Sequence, residues 1–273
     1  MASTHSPRRR AHTRHTAQTQ IQVLGCSGGI GGPHLRTTAL LVDHDVLIDA
    51  GTGVGDLSLG ELSLIDHIFL THCHLDHVVS IPLMVDSVGS MRTRPLTVHA
   101  LPATIEVLKQ HLFNWSIWPD FTQIPSPTNP YLIFEPLEIG DEITLNQRTF
   151  TVLPAVHTVP ACGYAVRNTT SALVFSGDTG PNPALWPILN QMPDLRYLLI
   201  ETAFCNREKA LATLSQHLCP QLLAQELAQL TQPVRVFISH LKPGEVELTM
   251  EEVLHDAQAW APQMLQNGMI FTL

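Results

Sequence analysis

The chain has no CxxC pair, no apolar run of membrane length, no repeat, and no acidic residue anywhere in its first twenty positions. Its five cysteines, Cys26, Cys73, Cys162, Cys205 and Cys219, are odd in number and scattered. That argues against a stapled secreted scaffold and fits a reducing, cytoplasmic compartment. No apolar stretch reaches the roughly 18 residues of a spanning helix, and the N-terminus lacks the apolar core of a secretory signal. Charged residues are scarce, at 14%, while hydrophobic residues make up 44% of the 273 positions. This is the composition of a globular chain long enough to bury a sizeable core without staples.

The charge that is present is unevenly spread. Residues 1–20 carry Arg8, Arg9, Arg10 and Arg14. Their composition resembles that of an organellar transit peptide but lacks its apolar face, so a solvated, disordered basic tail is expected over 1–20. The remaining residues, 21–273, hold 11 basic and 24 acidic side chains, a net charge of −13. A long polyanion is a poor ligand for such a body, because affinity for duplexes comes from neutralising phosphates. The unusual count is histidine: fifteen, as many as lysine and arginine together. Three of them, His5, His12 and His15, lie in the tail.

Val/Ile/Leu-rich runs bounded by turn residues predict strands at Gln20–Cys26, Thr38–Val42, Val46–Asp49, His67–Thr71, Leu96–Ala100, Thr149–Leu153, Tyr164–Val166, Ala172–Phe175, Tyr197–Glu201, Val234–Ser239 and Met269–Leu273. Helical periodicity covers His77–Val88, Ala103–Phe113, Pro183–Asn190, Cys219–Leu230 and Thr249–Trp260. Five prolines within Ser116–Pro136 predict a long irregular loop, and Arg167–Ser171 a hairpin loop between two strands. With no linker to cut, one α/β domain over 21–273, sheets inside and helices outside, is the simplest architecture. The glycines between Gly25 and Gly32 invite a nucleotide-loop reading, but Pro33 and a strand follow where a helix would be needed. A turn that lets backbone pass close to a site fits better.

The strongest chemical signal is His72-Cys73-His74-Leu75-Asp76-His77, directly after a predicted strand. Past a strand end alternate residues point the same way, so His72 and His74 can meet at one ion, while Asp76 and His77 open a helix and can turn to a second. Cys73 should then point away. A lone histidine here would read as a surface turn; four imidazole or carboxylate donors in six residues suit zinc and related divalent ions. His157, Asp178 and His240 each follow a predicted strand, where scaffolds present reactive groups.

HxHxDH followed by distant His, Asp and His resembles the metallo-β-lactamase superfamily, from about Ile21 to Leu273. The resemblance implies an αββα sandwich with two metals at the strand ends. It places His72, His74 and His157 on one ion, Asp76, His77 and His240 on the other, and Asp178 between them; Asp49 matches an early aspartate that orders the site without ligating. Further elements, His74-Leu75-Asp76-His77, Gly177-Asp178-Thr179-Gly180-Pro181, Glu201-Thr202-Ala203-Phe204, His217-Leu218-Cys219-Pro220 and Ser239-His240-Leu241-Lys242-Pro243, are similar to class II cyclic-nucleotide phosphodiesterases, which are related to the ribonuclease Z branch.

That likeness implies hydrolysis of 3′,5′-cyclic nucleotides (cAMP or cGMP) to 5′-monophosphates by a hydroxide bridging two divalent ions, Zn2+ first, with Mn2+ or Fe2+ as alternatives. The catalytic groups it implies are His217, Glu201 and Asp76, with His217 held by Glu201 giving a proton to the leaving oxygen. Otherwise His217 caps the helix near Cys219 and Glu201 makes a structural pair. The partner is a small cyclic nucleotide, with no membrane and no long nucleic acid; a homodimer is among the assemblies allowed. The alternatives are a ribonuclease Z-like tRNA 3′-endonuclease or another hydrolase of the same fold. Ribonuclease Z enzymes carry a protruding basic arm, and only a short hairpin lies between His157 and Asp178. Substrate contacts stay open: Trp115, Trp118, Phe121, Tyr131 and Phe204 either wall a base or pack beneath the loop, and His34 and Arg36 could approach phosphate or ribose. His34, His44, His67, His99, His111 and His255 are ordinary histidines in this reading.

Overall fold

Short apolar runs separated by turn residues dictate strands, and the computed structural model, which describes residues 18–273, contains sixteen. They are β1 (Gln20–Gly25), β2 (Ala39–Val42), β3 (Val46–Ile48), β4 (His67–Phe69), β5 (Leu96–Ala100), β6 (Pro125–Ser126), β7 (Asn129–Pro130) and β8 (Leu132–Pro136) in the first half. β9 (Glu142–Leu145), β10 (Arg148–Pro154), β11 (Cys162–Arg167), β12 (Ala172–Phe175), β13 (Leu195–Glu201), β14 (Arg235–Ser239), β15 (Gln263–Met264) and β16 (Ile270–Thr272) complete the set. Seven form a sheet in the order β16-β1-β2-β3-β4-β5-β8, and seven a second in the order β15-β14-β13-β12-β11-β10-β9; β6 and β7 make a separate ribbon.

Alternation along the strands sorts side chains into layers. Val46, Ile48 and Phe69 face the second sheet, where Phe150, Tyr164, Leu173, Leu199 and Phe237 meet them. The intervening Leu47, Ile68 and Leu70 face outward, against the helices Ser80–Val88 and Pro102–His111. On the second sheet Leu198, Ile200, Val236 and Ile238 pack outward against Leu185–Leu189, Pro220–Leu227 and Val246–Asp256. The architecture is the expected αββα sandwich, two sheets inside and helices on both outer faces. No helix among the described residues is long and apolar enough to cross a membrane, and none of the five cysteines is paired.

Several expectations are corrected. The run Ser116–Pro136 is not irregular throughout: it holds the β6–β7 ribbon and ends in β8, which pairs with β5 at the edge of its sheet. An edge tolerates Pro136, which has no N–H to give a ladder. The apolar period over His77–Val88 divides into Leu75–Val78 and Ser80–Val88. The helices Leu59–Leu64 and Lys209–Leu214 were not expected; six residues are too few to show a period. The expected tail is outside the described residues up to position 17. Thr19 and Gln20 are part of the fold, since Leu273 N–H donates to Thr19 O at 2.9 Å and Gln20 pairs with Thr272.

One polar contact joins the two sheets. Arg148 opens β10 and is only 3% exposed. Its guanidinium donates to both carboxylate oxygens of Asp45, at 2.6 and 2.7 Å, and to Asp43 at 2.9 Å, in the β2–β3 turn of the opposite sheet. Removing one partner of a buried pair leaves the others charged and unpaired. Arg148→Met is therefore expected to cost about 3–5 kcal/mol in urea unfolding, whereas breaking the exposed Arg36–Asp56 pair should change the midpoint little.

Candidate metal centre

The candidate ligands gather where parallel strands end. β3 delivers Asp49, β4 the segment His72–His77, β10 His157, β12 Asp178, β13 Glu201 and β14 His240. The donor atoms of His72, His74 and His157 lie within 4.8 Å of one another, as do those of Asp76, His77 and His240; Asp178 groups with His72 and His77. All seven residues singled out from the sequence as ligands are thus brought together. Asp49 and Cys73 belong to none of these groups.

Neighbouring groups fix which imidazole nitrogen is left free. Asp49, buried with φ +58°, accepts Thr71 N–H at 2.8 Å and the Thr71 hydroxyl at 2.8 Å. It also accepts His77 Nδ1–H at 2.7 Å, so Nε2 of His77 faces the site. The Thr71 hydroxyl proton goes to Asp49, so at 3.0 Å His72 Nδ1 must be the donor to Thr71 Oγ1, again freeing Nε2. His157 Nδ1–H donates to Gln216 O at 3.1 Å. The freed nitrogens of His72 and His157 both face His74 Nδ1, at 3.0 and 3.1 Å. Such polar partners commonly orient metal-binding imidazoles.

Two buried nitrogens test whether a cation suits this donor set. His77 Nε2 and His240 Nδ1 lie 3.3 and 3.2 Å from Asp178 oxygens, yet neither completes a hydrogen bond. Buried polar atoms seldom stay unpaired. Nitrogens and carboxylate oxygens aimed at a common point are the donors a divalent ion requires.

The electrostatics agree. Burial drives His72 well below the ordinary imidazole value and His240 down to about 3, and lowers His74 and His157. These four stay neutral, with lone pairs to give. Burial works against the charge of Asp178 as well, but His240 and His77 outweigh it and hold the carboxyl well below the usual range. His77 is the exception: burial opposes its charge, yet Asp178 and Asp49 raise it well above the ordinary value, a sign of strong negative potential at that nitrogen.

Beside these groups stands the Glu201–His217 pair. Glu201 is fully buried and accepts backbone N–H from Thr179, Ala203 and Leu218 at 3.1–3.2 Å, so its orientation is fixed. His217 Nδ1 meets it at 2.6 Å. The helix that follows has Cys219, not His217, as its N-cap, so the capping alternative does not hold. His217 lies against His157 and His240, with ring centroids 4.8 and 5.2 Å away.

Some contributors were not read from the sequence. Lys242 donates to Gly28 O at 2.7 Å with Nζ 3.5 Å from His240 Nε2, although its motif was in view. A Cβ on Gly28 would sit 2.5 Å from His240 O, so the glycine turn does let backbone pass against a ligand. Glu226 accepts Asn182 N–H and Trp186 Nε1–H, tying the Asp178 loop to the helix Pro220–Leu227; nothing local in the sequence signals this. The aromatics of the proline-rich segment mostly pack beneath it: Phe121 is buried, and Trp118 and Tyr131 lie against the same core. Trp115 is 64% exposed. Arg36 is engaged by Asp56.

The chain and its fold have counterparts among known proteins. A probable 3′,5′-cyclic-nucleotide phosphodiesterase of Yersinia pestis is 26% identical over 280 residues, covering 84% of this chain and 80% of that one. A ribonuclease Z of Clostridium beijerinckii is 30% identical over 154 residues, covering 53% and 47%. Among solved structures, unliganded yeast PDE1 superposes with a TM-score of 0.77 at 19% identity, over 93% of this chain and 99% of its own. The beta-lactamase superfamily domain matches residues 44–241, a span that holds every candidate ligand and the Glu201–His217 pair, and the chain belongs to that superfamily.

Proposed function

We propose that this hydrolase is a metal-dependent phosphodiesterase that opens 3′,5′-cyclic nucleotides to 5′-monophosphates. The observation that carries the reading is the 2.6 Å Glu201–His217 contact beside the convergent ligand groups, a proton donor next to a candidate dimetal centre. Cyclic-nucleotide phosphodiesterase is also the name of the Yersinia relative, which matches most of the chain. A body charge of −13 disfavours long polyanions. The segment between His157 and Asp178 is only the β11–β12 hairpin, too small for a tRNA-holding arm.

In this reading His72, His74 and His157 would hold one ion and Asp76, His77 and His240 the other, with Asp178 available to both. Bound there, two divalent ions, zinc in preference to manganese or iron(II), supply Lewis-acid polarisation of phosphoryl oxygens and acidify water. Hydrolysis forms one P–O bond from water and breaks P–O3′. The departing O3′ needs a proton, and His217 is the donor. Its Nδ1–H is bound to Glu201, which leaves Nε2–H to give. Burial opposes the charge of His217, but Glu201 and then Asp178 outweigh it and raise the imidazole above its ordinary value, which favours the charged, proton-donating form. In the same reading Asp76, the least buried of the candidate carboxylates, would take the proton released by the attacking water.

Three outcomes test this. Metal-replete protein given cyclic AMP, cyclic GMP, bis-(p-nitrophenyl) phosphate and pre-tRNA should release 5′-monophosphate from a cyclic nucleotide. A chelator should abolish the activity, and zinc or manganese should restore it. Cleavage of pre-tRNA alone moves the assignment to a ribonuclease Z-like endonuclease. His217→Ala should lower kcat by about 10²–10⁴-fold with KM and bound metal little changed; full turnover removes the proton-donor role. The pH profile gives the third. The donor is charged below the raised pKa of His217 and loses its proton as pH climbs through it, so kcat should fall on the alkaline side. Glu201→Gln removes the anion that raises that pKa and should move this limb to lower pH; an unmoved limb assigns it to another group.

A further inference from the structure

Two histidines that the sequence reading set aside meet at the other end of β4. His67 opens the strand, whereas His72 follows its far end, about 16 Å along an extended chain. His67 Nδ1 and His99 Nε2 lie 3.0 Å apart, the same separation as His72 Nε2 and His74 Nδ1 in the candidate centre. The placement is rigid. β4 and β5 pair in parallel, His67 with Thr97 and Phe69 with His99. The His99 ring stacks on Phe69 at 4.4 Å, and Phe69 stacks on Phe150 of the opposite sheet at 4.6 Å. Both imidazoles therefore belong to the inner face, at the mouth between the two sheets.

That mouth is a cleft of about 470 Å³ lined by His67, His99, Thr97 and the carboxylates Glu135, Asp141 and Glu142. No lysine or arginine lines it. Arg94 and Arg148, the cations that act on His67, are already paired, Arg94 with Asp66 and Arg148 with Asp43 and Asp45. Glu135 is in register with His99 on the neighbouring strand, is exposed, and lines the same cleft. Burial lowers His67 and pushes His99, only 7% exposed, down to about 4. Both rings are thus neutral at physiological pH, the form that ligates metals.

We propose that His67 and His99, with the carboxylate of Glu135, form a separate site for one borderline divalent transition ion of the zinc, cobalt and nickel class. Two imidazoles and a carboxylate with an open side suit that class. The bland alternative is that one imidazole N–H bonds the other ring and nothing binds.

Metal content after equilibrium dialysis of the full chain against excess zinc separates the two. His67→Gln and His99→Phe should each lose one zinc per chain relative to the unchanged protein. The remaining zinc and the cyclic-nucleotide activity should be unaltered, because neither residue belongs to the candidate centre. His67 tests the site even if the buried His99 proves necessary for folding, which the melting temperature reports. Anomalous scattering at the zinc edge should place an ion between the two rings. Equal zinc in the unchanged and His67→Gln proteins overturns the proposal. The count at this cleft does not depend on which substrate the other centre takes, so the two readings fail separately.

Discussion

Asp178 is a 3%-exposed carboxylate set among His72, His77 and His240, and keeping it ionised there is the constraint on which the site depends. A lone buried carboxylate would take up a proton. This one does not, because His240 at the end of β14 and His77 and His72 from the segment after β4 surround it. Its own loop is shaped for the purpose. Gly177 has φ +62°, and a Cβ there would lie 2.7 Å from Cys162 O and 3.1 Å from Thr71. Thr71 holds Asp49, Asp49 holds His77, and His77 faces Asp178. Cys162 N–H donates to Thr71 O, so this closed circuit also joins the two sheets. Asp49 and His240 both adopt left-handed backbone, at φ +58° and +61°. Local strain of this kind persists where surrounding contacts over-determine it.

The sequence was most informative where chemistry and strand pattern coincide. His72, His74, Asp76 and His77 follow a short apolar strand buried on both faces, and the distant His157, Asp178 and His240 follow others, so the candidate ligands could be assembled from strand ends. It was least informative at edges and in short elements. β8 ends in Pro136 and is set among prolines, so its apolar residues resemble loop. β9 alternates between exposed and half-buried positions and has no apolar run to show. Long-range polar contacts left no mark in the sequence. Arg148 reaches the β2–β3 turn more than a hundred residues away, and Glu226 reaches Trp186 forty residues away. Charge and spacing do not reveal which of many Arg or Glu side chains will be buried against which partner. Only the packing of the sheets does.

The same packing limits what can reach the site. Most aromatics of the proline-rich segment are spent on the core beneath it, through Phe113–Phe121 and Phe121–Tyr131 contacts. They keep that segment seated beside β5 and leave little of it to grip a base. Cationic character near the ligands comes from Lys242, anchored on Gly28 O. One anchored ammonium suits a single phosphodiester better than a polyanionic strand, whose binding needs many neutralised phosphates. Local charge and global charge therefore point the same way.

Histidine abundance by itself is a weak argument, since imidazole also serves as an ordinary half-buried aromatic. What separates the histidines here is the face and the end of the strand they occupy. Of those at strand C-termini, His72, His77 and His157 each have one nitrogen tied to Thr71, Asp49 or Gln216. His255 stands at an exposed helix end beside Asp256 and meets nothing else. His67 and His99 fall between these cases: inward-facing, neutral and mutually in contact, but without a backbone acceptor fixing either tautomer. A ring pair whose proton can sit on either nitrogen is held more loosely than the candidate centre. Any ion there should therefore bind more weakly and exchange faster than one at the candidate centre, where Thr71 and Gln216 commit the lone pairs of His72 and His157 before a cation arrives.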